Sequence, residues 1–211
     1  MKTLSEKLMS LVLAFTMALS LGATAFAAEP DMDQIEAQMK NITLDVNEMT
    51  PHEYKIYKEV VDSVTEHEKS VNPNFNEQEF VTQVNDLLYS MEHGISVPMA
   101  RSGRSAAKVR LSIPNNVVAT SVNVAVSLLA GGGATATIKA LISKYGTKAA
   151  ANLIAKKVTT KLLAIGIKEV TGLGTVIRNV VKNVLDPGGA VAEWLDNKDP
   201  RPGNGCVDVA F

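Results

Sequence analysis

The chain of 211 residues holds one cysteine, Cys206, and one tryptophan, Trp194. A lone thiol cannot close an internal disulfide, so no disulfide framework holds the fold. Cys206 is then either a small buried side chain or the handle of a disulfide-linked dimer. Histidine is as scarce. His52, His67 and His93 have no zinc spacing, and "TEHEKS" lacks the second histidine of His-Glu-x-x-His. There is no Gly-x-Ser-x-Gly elbow, and Cys206 has no histidine in its own half of the chain to activate it. The runs "GGG" (131–133) and "TGLG" (171–174) lack the Gly-Lys-Ser/Thr end of a phosphate loop. Asp196, Asp199 and Asn204 in "DNKDPRPGNG" miss EF-hand spacing and its bidentate glutamate. Neither an enzyme nor a metal or cofactor is expected. Aromatics are few as well. From Arg101 onward they are Tyr145, Trp194 and Phe211, a poor provision for stacking on bases, so no nucleic-acid partner is expected.

The most informative absence is that of acids from one region. Between Arg101 and Lys182 there are 13 Lys or Arg and a single acid, Glu169. Between Ala28 and Gly94 the balance reverses, with 15 Asp or Glu against 4 Lys. The formal net charge of −1 hides two halves of opposite sign.

What is present begins with a leader. Lys2 and Lys7 precede an apolar run, Leu8 to Leu21, that ends in Ala25-Phe26-Ala27. This small-x-small end predicts export and cleavage by signal peptidase after Ala27, with an uncleaved N-terminal anchor as the alternative. Residues 28–95 form the acidic region and read as two helices. Thr50, Pro51 and Glu53 are a helix start, and Ile56, Val60, Val61 and Val64 follow on one face. Asn76 with Glu79 starts the next helix, which carries Phe80, Val84, Leu87, Leu88 and Met91 and stops at Gly94.

Residues 96–110, "SVPMARSGRSAAKVR", are basic and broken by Pro98 and Gly103. Exposed irregular backbone with Arg101 and Arg104 is what a trypsin-like protease cuts, so this is a candidate processing site; uncut, it is a hinge. Residues 111–211 are the cationic region. "NNVVATSVNVAVSLLA" (115–130) is free of charge, and helix is preferred there over strand despite its valines. Leu153, Ile154, Val158, Leu162 and Ile165 make a second apolar stripe, and Val176, Val180, Val181 and Val184 a third. Asp186-Pro187 opens a short helix with Ala190, Val191, Trp194 and Leu195, and the tail from 186 ends in the alternating Val207, Val209 and Phe211, expected to be extended. The fold class expected is mostly α: an acidic two-helix pro-region, then a small cationic helical bundle with a short extended C-terminal tail.

An apolar, Lys-rich region poor in acids suits an anionic membrane. Each lysine near such a surface contributes on the order of 1 kcal/mol, and apolar helix faces sink into the interface. The candidate membrane-binding residues are Lys139, Lys144, Lys148, Lys156, Lys157, Lys161, Lys168, Arg178, Lys182 and Trp194. Residues 117–142 have the length of one bilayer span or of a shallow hairpin about the triple glycine, although Asn123 and Lys139 make a poor span.

The order of leader, acidic middle, basic junction and Lys/Gly/Ala-rich helical end resembles secreted antimicrobial protein precursors of Gram-positive bacteria. "ISKYGTKAAANLIAKKVTTKLLAIGIK" (142–168) is similar to the helices of large unmodified or circular bacteriocins. The resemblance covers about half of the chain and is compositional. It implies a compact helical bundle that permeabilises the membranes of target bacteria. The Pro-rich acidic tail with Cys206 departs from that group, and no residue role carries over by position. In this frame residues 28–95 are an intramolecular partner that covers the cationic helices until release. The competing expectation is a secreted, non-enzymatic adaptor of the cell envelope, in which both halves form one stable domain.

Overall fold

The computed structural model of the protein describes residues 42–95, 110–168 and 170–210, which fall in a single compact unit. The leader with Ala27, the junction with Arg101 and Arg104, and Phe211 lie outside the described residues. Among the described residues the chain is mostly helical, with six helices and two short strands.

The acidic region supplies α1 (Pro51–Val71) and α2 (Glu77–His93). Local chemistry sets both starts. At α1 the Glu53 backbone N–H donates to the Thr50 hydroxyl, and the Glu53 carboxylate accepts from the Thr50 N–H at 2.8 Å, a full capping box. At α2 the Asn76 side chain accepts from the Glu79 N–H, but the Glu79 carboxylate reaches back to the Asn76 side-chain amide and not to its backbone, so the box is half built. The rings of Phe75 and Phe80 close the entry to α2 with centroids 5.3 Å apart, a hydrophobic staple across its first turn. Gly94 ends α2 in the left-handed conformation expected of it.

The buried stripe of α2 is the expected one: Phe80, Val84, Leu87, Leu88 and Met91. At about 1.5–3 kcal/mol per fully buried large apolar side chain, it contributes on the order of 10 kcal/mol before chain entropy is subtracted. On α1 the stripe is rotated from its expected position. Ile56, Tyr57, Val61 and Thr65 are buried, while Val60 and Val64 are half-buried. Tyr57 displaces them because its ring fills the core while its hydroxyl donates to Asn85 Oδ1 at 2.6 Å, which satisfies the polar end.

The cationic region runs β1 (Arg110–Pro114), α3 (Asn115–Ser127), α4 (Ala134–Ala164), α5 (Leu173–Asn183), α6 (Pro187–Asp196) and β2 (Cys206–Ala210). The valine-rich α3 is a helix, and it packs against α1, α2, α4, α6 and both strands. A charge-free helix is stable only when surrounded in this way. The turn at residues 128–133 separates α3 from α4, so 117–142 forms a hairpin and no single span; among the described residues no helix is long and apolar enough to cross a membrane. Within α4, Gly146 at φ 81° and ψ 161° breaks the helical path, so the element is two helices joined at a bend. The stripe Leu153, Ile154, Val158, Leu162 and Ile165 is buried as expected. On α5, Leu173, Ile177, Val180 and Val181 are buried and Val176 and Val184 only half so, because Ile177 holds the centre of the face.

The strand β1 was not expected; 96–110 reads as a linker and 111 onward as helical. It pairs antiparallel with the tail strand, from Arg110 opposite Ala210 to Pro114 opposite Cys206. Two short strands are legible only as a pair, and their partners stand about a hundred residues apart in sequence.

Candidate functional site

The residues expected to meet an anionic surface do not behave alike. Lys139, Lys144, Lys148, Lys156, Lys168, Arg178 and Lys182 are exposed. On the second part of α4, Lys148, Asn152, Lys156, Thr160 and Leu163 follow at helical spacing along the outer side, with Leu163 half exposed. Leu185, also half exposed, follows Lys182 past the end of α5. The Lys144 ammonium sits 4.9 Å from the ring centre of Tyr145. Arg178 folds back on α5, its Nε donating to the Gly174 carbonyl at 3.0 Å.

Three of the expected residues are partly withdrawn from solvent. Trp194 is half-buried, its ring set against Gly172. The Lys161 side chain is 12 % exposed, and its ammonium donates to Glu92 Oε2 at 2.8 Å. Lys157, one turn before it, is half-buried; burial pushes its ammonium below the ordinary lysine value, Lys161 adds repulsion, and Glu92 opposes both.

Glu92 therefore stands where the two charge regions meet. The same carboxylate oxygen accepts from the Leu44 N–H at 2.9 Å and from Lys161, so it ties the segment before α1, the end of α2 and α4 together. Burial works to raise the Glu92 pKa, but the Lys161 ammonium and the Leu44 N–H outweigh it and hold the carboxyl below its ordinary value. Beside it His93 Nε2 lies 3.1 Å from Asp45 Oδ2. Asn116 of α3 donates to Glu68 of α1 at 3.3 Å.

A second polar cluster ties the ends of the cationic region. Asp196, at the end of α6, accepts from the Asn115 side chain at 2.7 Å and from the N–H groups of Gly203, Asn204 and Gly205. The Asn115 contact first, opposed by burial and supported by the three N–H groups, holds Asp196 below the ordinary aspartate value. Asp208 of β2 is clamped by Arg201, whose Nε donates at 2.6 Å, and by the hydroxyl of Ser112 on β1. Arg201 accordingly lowers the Asp208 pKa, against burial. Asp199 accepts from the N–H groups of Arg201 and Asp208. The acids of "DNKDPRPGNG" thus act as receptors for the turn's own N–H groups.

Sequence reasoning missed these acids as structural devices, and it missed Asn123. Inside α3, Asn123 Oδ1 accepts from the Gly188 N–H at 2.8 Å and so helps Asp186 cap α6. The signal available was the pair Gly188-Gly189 after Asp186-Pro187, which marks a helix start pressed against another backbone. A Cβ at Gly188 would lie 2.0 Å from the Ala119 carbonyl oxygen of α3. Cys206 is half-buried with a free thiol; burial, then the neighbouring Asp208, raises its pKa, which makes it a poor nucleophile. The chain matches no protein-family model, no curated protein and no solved structure.

Proposed function

We propose that the protein is the exported precursor of a cationic, membrane-active antimicrobial protein, in which residues 28–95 act as an acidic cover that a cut at Arg101 or Arg104 releases. The observation that carries the reading is how the cationic region is closed. The β1–β2 ladder begins at Arg110, the last residue of the junction, and ends at Ala210, so α3 to α6 are held between two paired ends. A cut at Arg101 or Arg104 leaves every pair of that ladder intact. The acidic helices contribute from outside it: α1 packs on α3, and α2 on α3 and α4. Their loss uncovers the charge-free face of α3 next to Lys157 and Lys161. Those helices then have both parts of an interfacial binder, an apolar face and lysines around it.

The adaptor reading has its own support, since the two regions share one core and meet at Glu92 and Lys161. Two measurements separate the readings. Mass spectrometry of culture supernatant gives a species starting after Arg101 or Arg104 for the precursor, and a species starting near Ala28 for the adaptor. Residues 28–211, cut at the junction and freed of the acidic fragment, release dye from phosphatidylglycerol vesicles, while R101Q/R104Q protein treated alike does not. A separated cationic fragment that stays folded and leaves such vesicles intact rules the membrane reading out.

A further inference from the structure

A cavity of 360 Å³, partly open to solvent, lies where the turn after α4, the end of α6 and the strand β2 converge. Its size places it among small-molecule sites and well above an ordinary packing defect, since close-packed interiors leave few voids larger than a water. Ile167, Leu195, Val207 and Val209 line it, and all four are buried branched aliphatic side chains. Branched aliphatic walls give water few partners, so such space is filled favourably by an apolar body.

The rim has a definite sign. Lys168 and Lys198 line the cavity and are exposed, and neither ammonium has an ion-pair partner among the described residues. The acids beside them are already engaged. Asp199 accepts the Arg201 N–H at 2.8 Å and the Asp208 N–H at 2.7 Å, and the Asp208 carboxylate is wholly buried under Arg201. Among the described residues, two cations without an ion-pair partner therefore stand over an apolar floor, beside the carboxylates of Asp199 and Asp208 that are turned to the backbone and to arginine.

From this juxtaposition we infer that the cavity binds a small anionic amphiphile: one aliphatic chain seated against Ile167, Leu195, Val207 and Val209, with its carboxylate or phosphate head held by Lys168 and Lys198. The site is independent of any cut at the junction and of the membrane reading above. Its walls come from elements of the cationic region that the β1–β2 ladder ties together, so the same cavity exists before and after processing. A single-chain fatty acid and an anionic lipid both carry the required head and chain.

The test is calorimetric titration of residues 28–211 with sodium decanoate, with decyltrimethylammonium as the charge-reversed control. One saturable site is expected, with decyltrimethylammonium far weaker. In K168Q/K198Q, whose side chains are exposed and form no ion pair among the described residues, affinity falls by about tenfold or more, the loss expected when charge-assisted contacts go. Ile167→Phe, which fills the floor, abolishes binding, and circular dichroism checks that it remains folded. Should Ile167→Phe unfold, Val209→Leu is the smaller filling variant and must weaken binding. Competition by phosphatidylglycerol vesicles assigns the natural ligand to membrane lipid, and lack of competition to a free fatty acid; either outcome upholds the site. Absence of a saturable site, equal affinity for the cationic control, or binding unchanged in both K168Q/K198Q and the filling variant overturns it.

Discussion

The two helices of the acidic region and the four of the cationic region are stabilised by different means. Helix α1 has a full capping box, Glu53 in its first turn and Lys69 in its last; α2 has an Asn76 cap, two acids in its first turn and His93 in its last. Each of these features favours helix from within the segment. Helices α3, α4 and α5 have no side-chain cap and no acid in the first turn. They form because α3 is enclosed by its neighbours and because paired strands tie the ends of the region. The two acidic helices are specified locally and pack on α3, whereas α3, α4 and α5 are specified by tertiary contact.

The sharpest way to break the cationic region is at its tightest contact. Gly188→Ala puts a Cβ against the Ala119 carbonyl and 2.7 Å from the Asn123 side chain, which no rotamer can relieve. A loss of about 3 kcal/mol or more is expected in urea unfolding, at the upper end of overpacking costs. The acidic helices are tested next with Leu88→Ala, at a side chain with no exposed surface. Truncating it costs about 2–5 kcal/mol in the uncut chain. After a cut at the junction, the acidic fragment should leave the L88A protein faster than the parent, as read by size-exclusion chromatography.

Charge coupling between the regions comes third. A double-mutant cycle on Glu92→Gln and Lys161→Met should give a coupling of about 1–2 kcal/mol, above exposed pairs because both side chains are largely buried. Glu92 is also the acid-sensitive point. Its folded pKa lies below the ordinary 4.5, so its contribution is complete above that value and is lost as pH falls through the folded pKa. Asp196 and Asp208 are depressed in the same direction. Stability should therefore drop as pH falls below about 4, and the Glu92→Gln chain should show a shallower decline. The smallest effect is expected at a cap. Thr50→Ala should cost about 1 kcal/mol, whereas α4 starts at Gly133 with no cap side chain to lose. A Thr50→Ala chain as stable as its parent would remove the case for locally specified acidic helices.

The sequence by itself determined what depends on neighbours within a few residues. Thr50 with Glu53, Asn76 before Phe80, Gly94, and Asp186 before Pro187 placed the helix starts and stops, and the stripes on α2 and on the second part of α4 placed part of the core. Periodicity was less exact where one residue could serve two faces: Tyr57 and Ile177 took positions expected of smaller valines, since shape and a hydroxyl partner decide which side chain fills a core. What only tertiary structure decided lies in contacts between distant parts. Nothing near Arg110 announces a strand, because its partner strand is Cys206–Ala210 at the far end of the region. Asn123 read as a polar flaw in an apolar helix until Gly188 came against it. Lys161 read as a surface charge until Glu92 reached it, and Asp196, Asp199 and Asp208 read as a loose acidic tail until the turn's own N–H groups and Arg201 closed on them. A polar side chain is assigned by its partner, and these partners lie from 2 to 81 residues away in the chain. The cavity beside β2 belongs to the same class, since its floor and its two lysines converge from three separate elements.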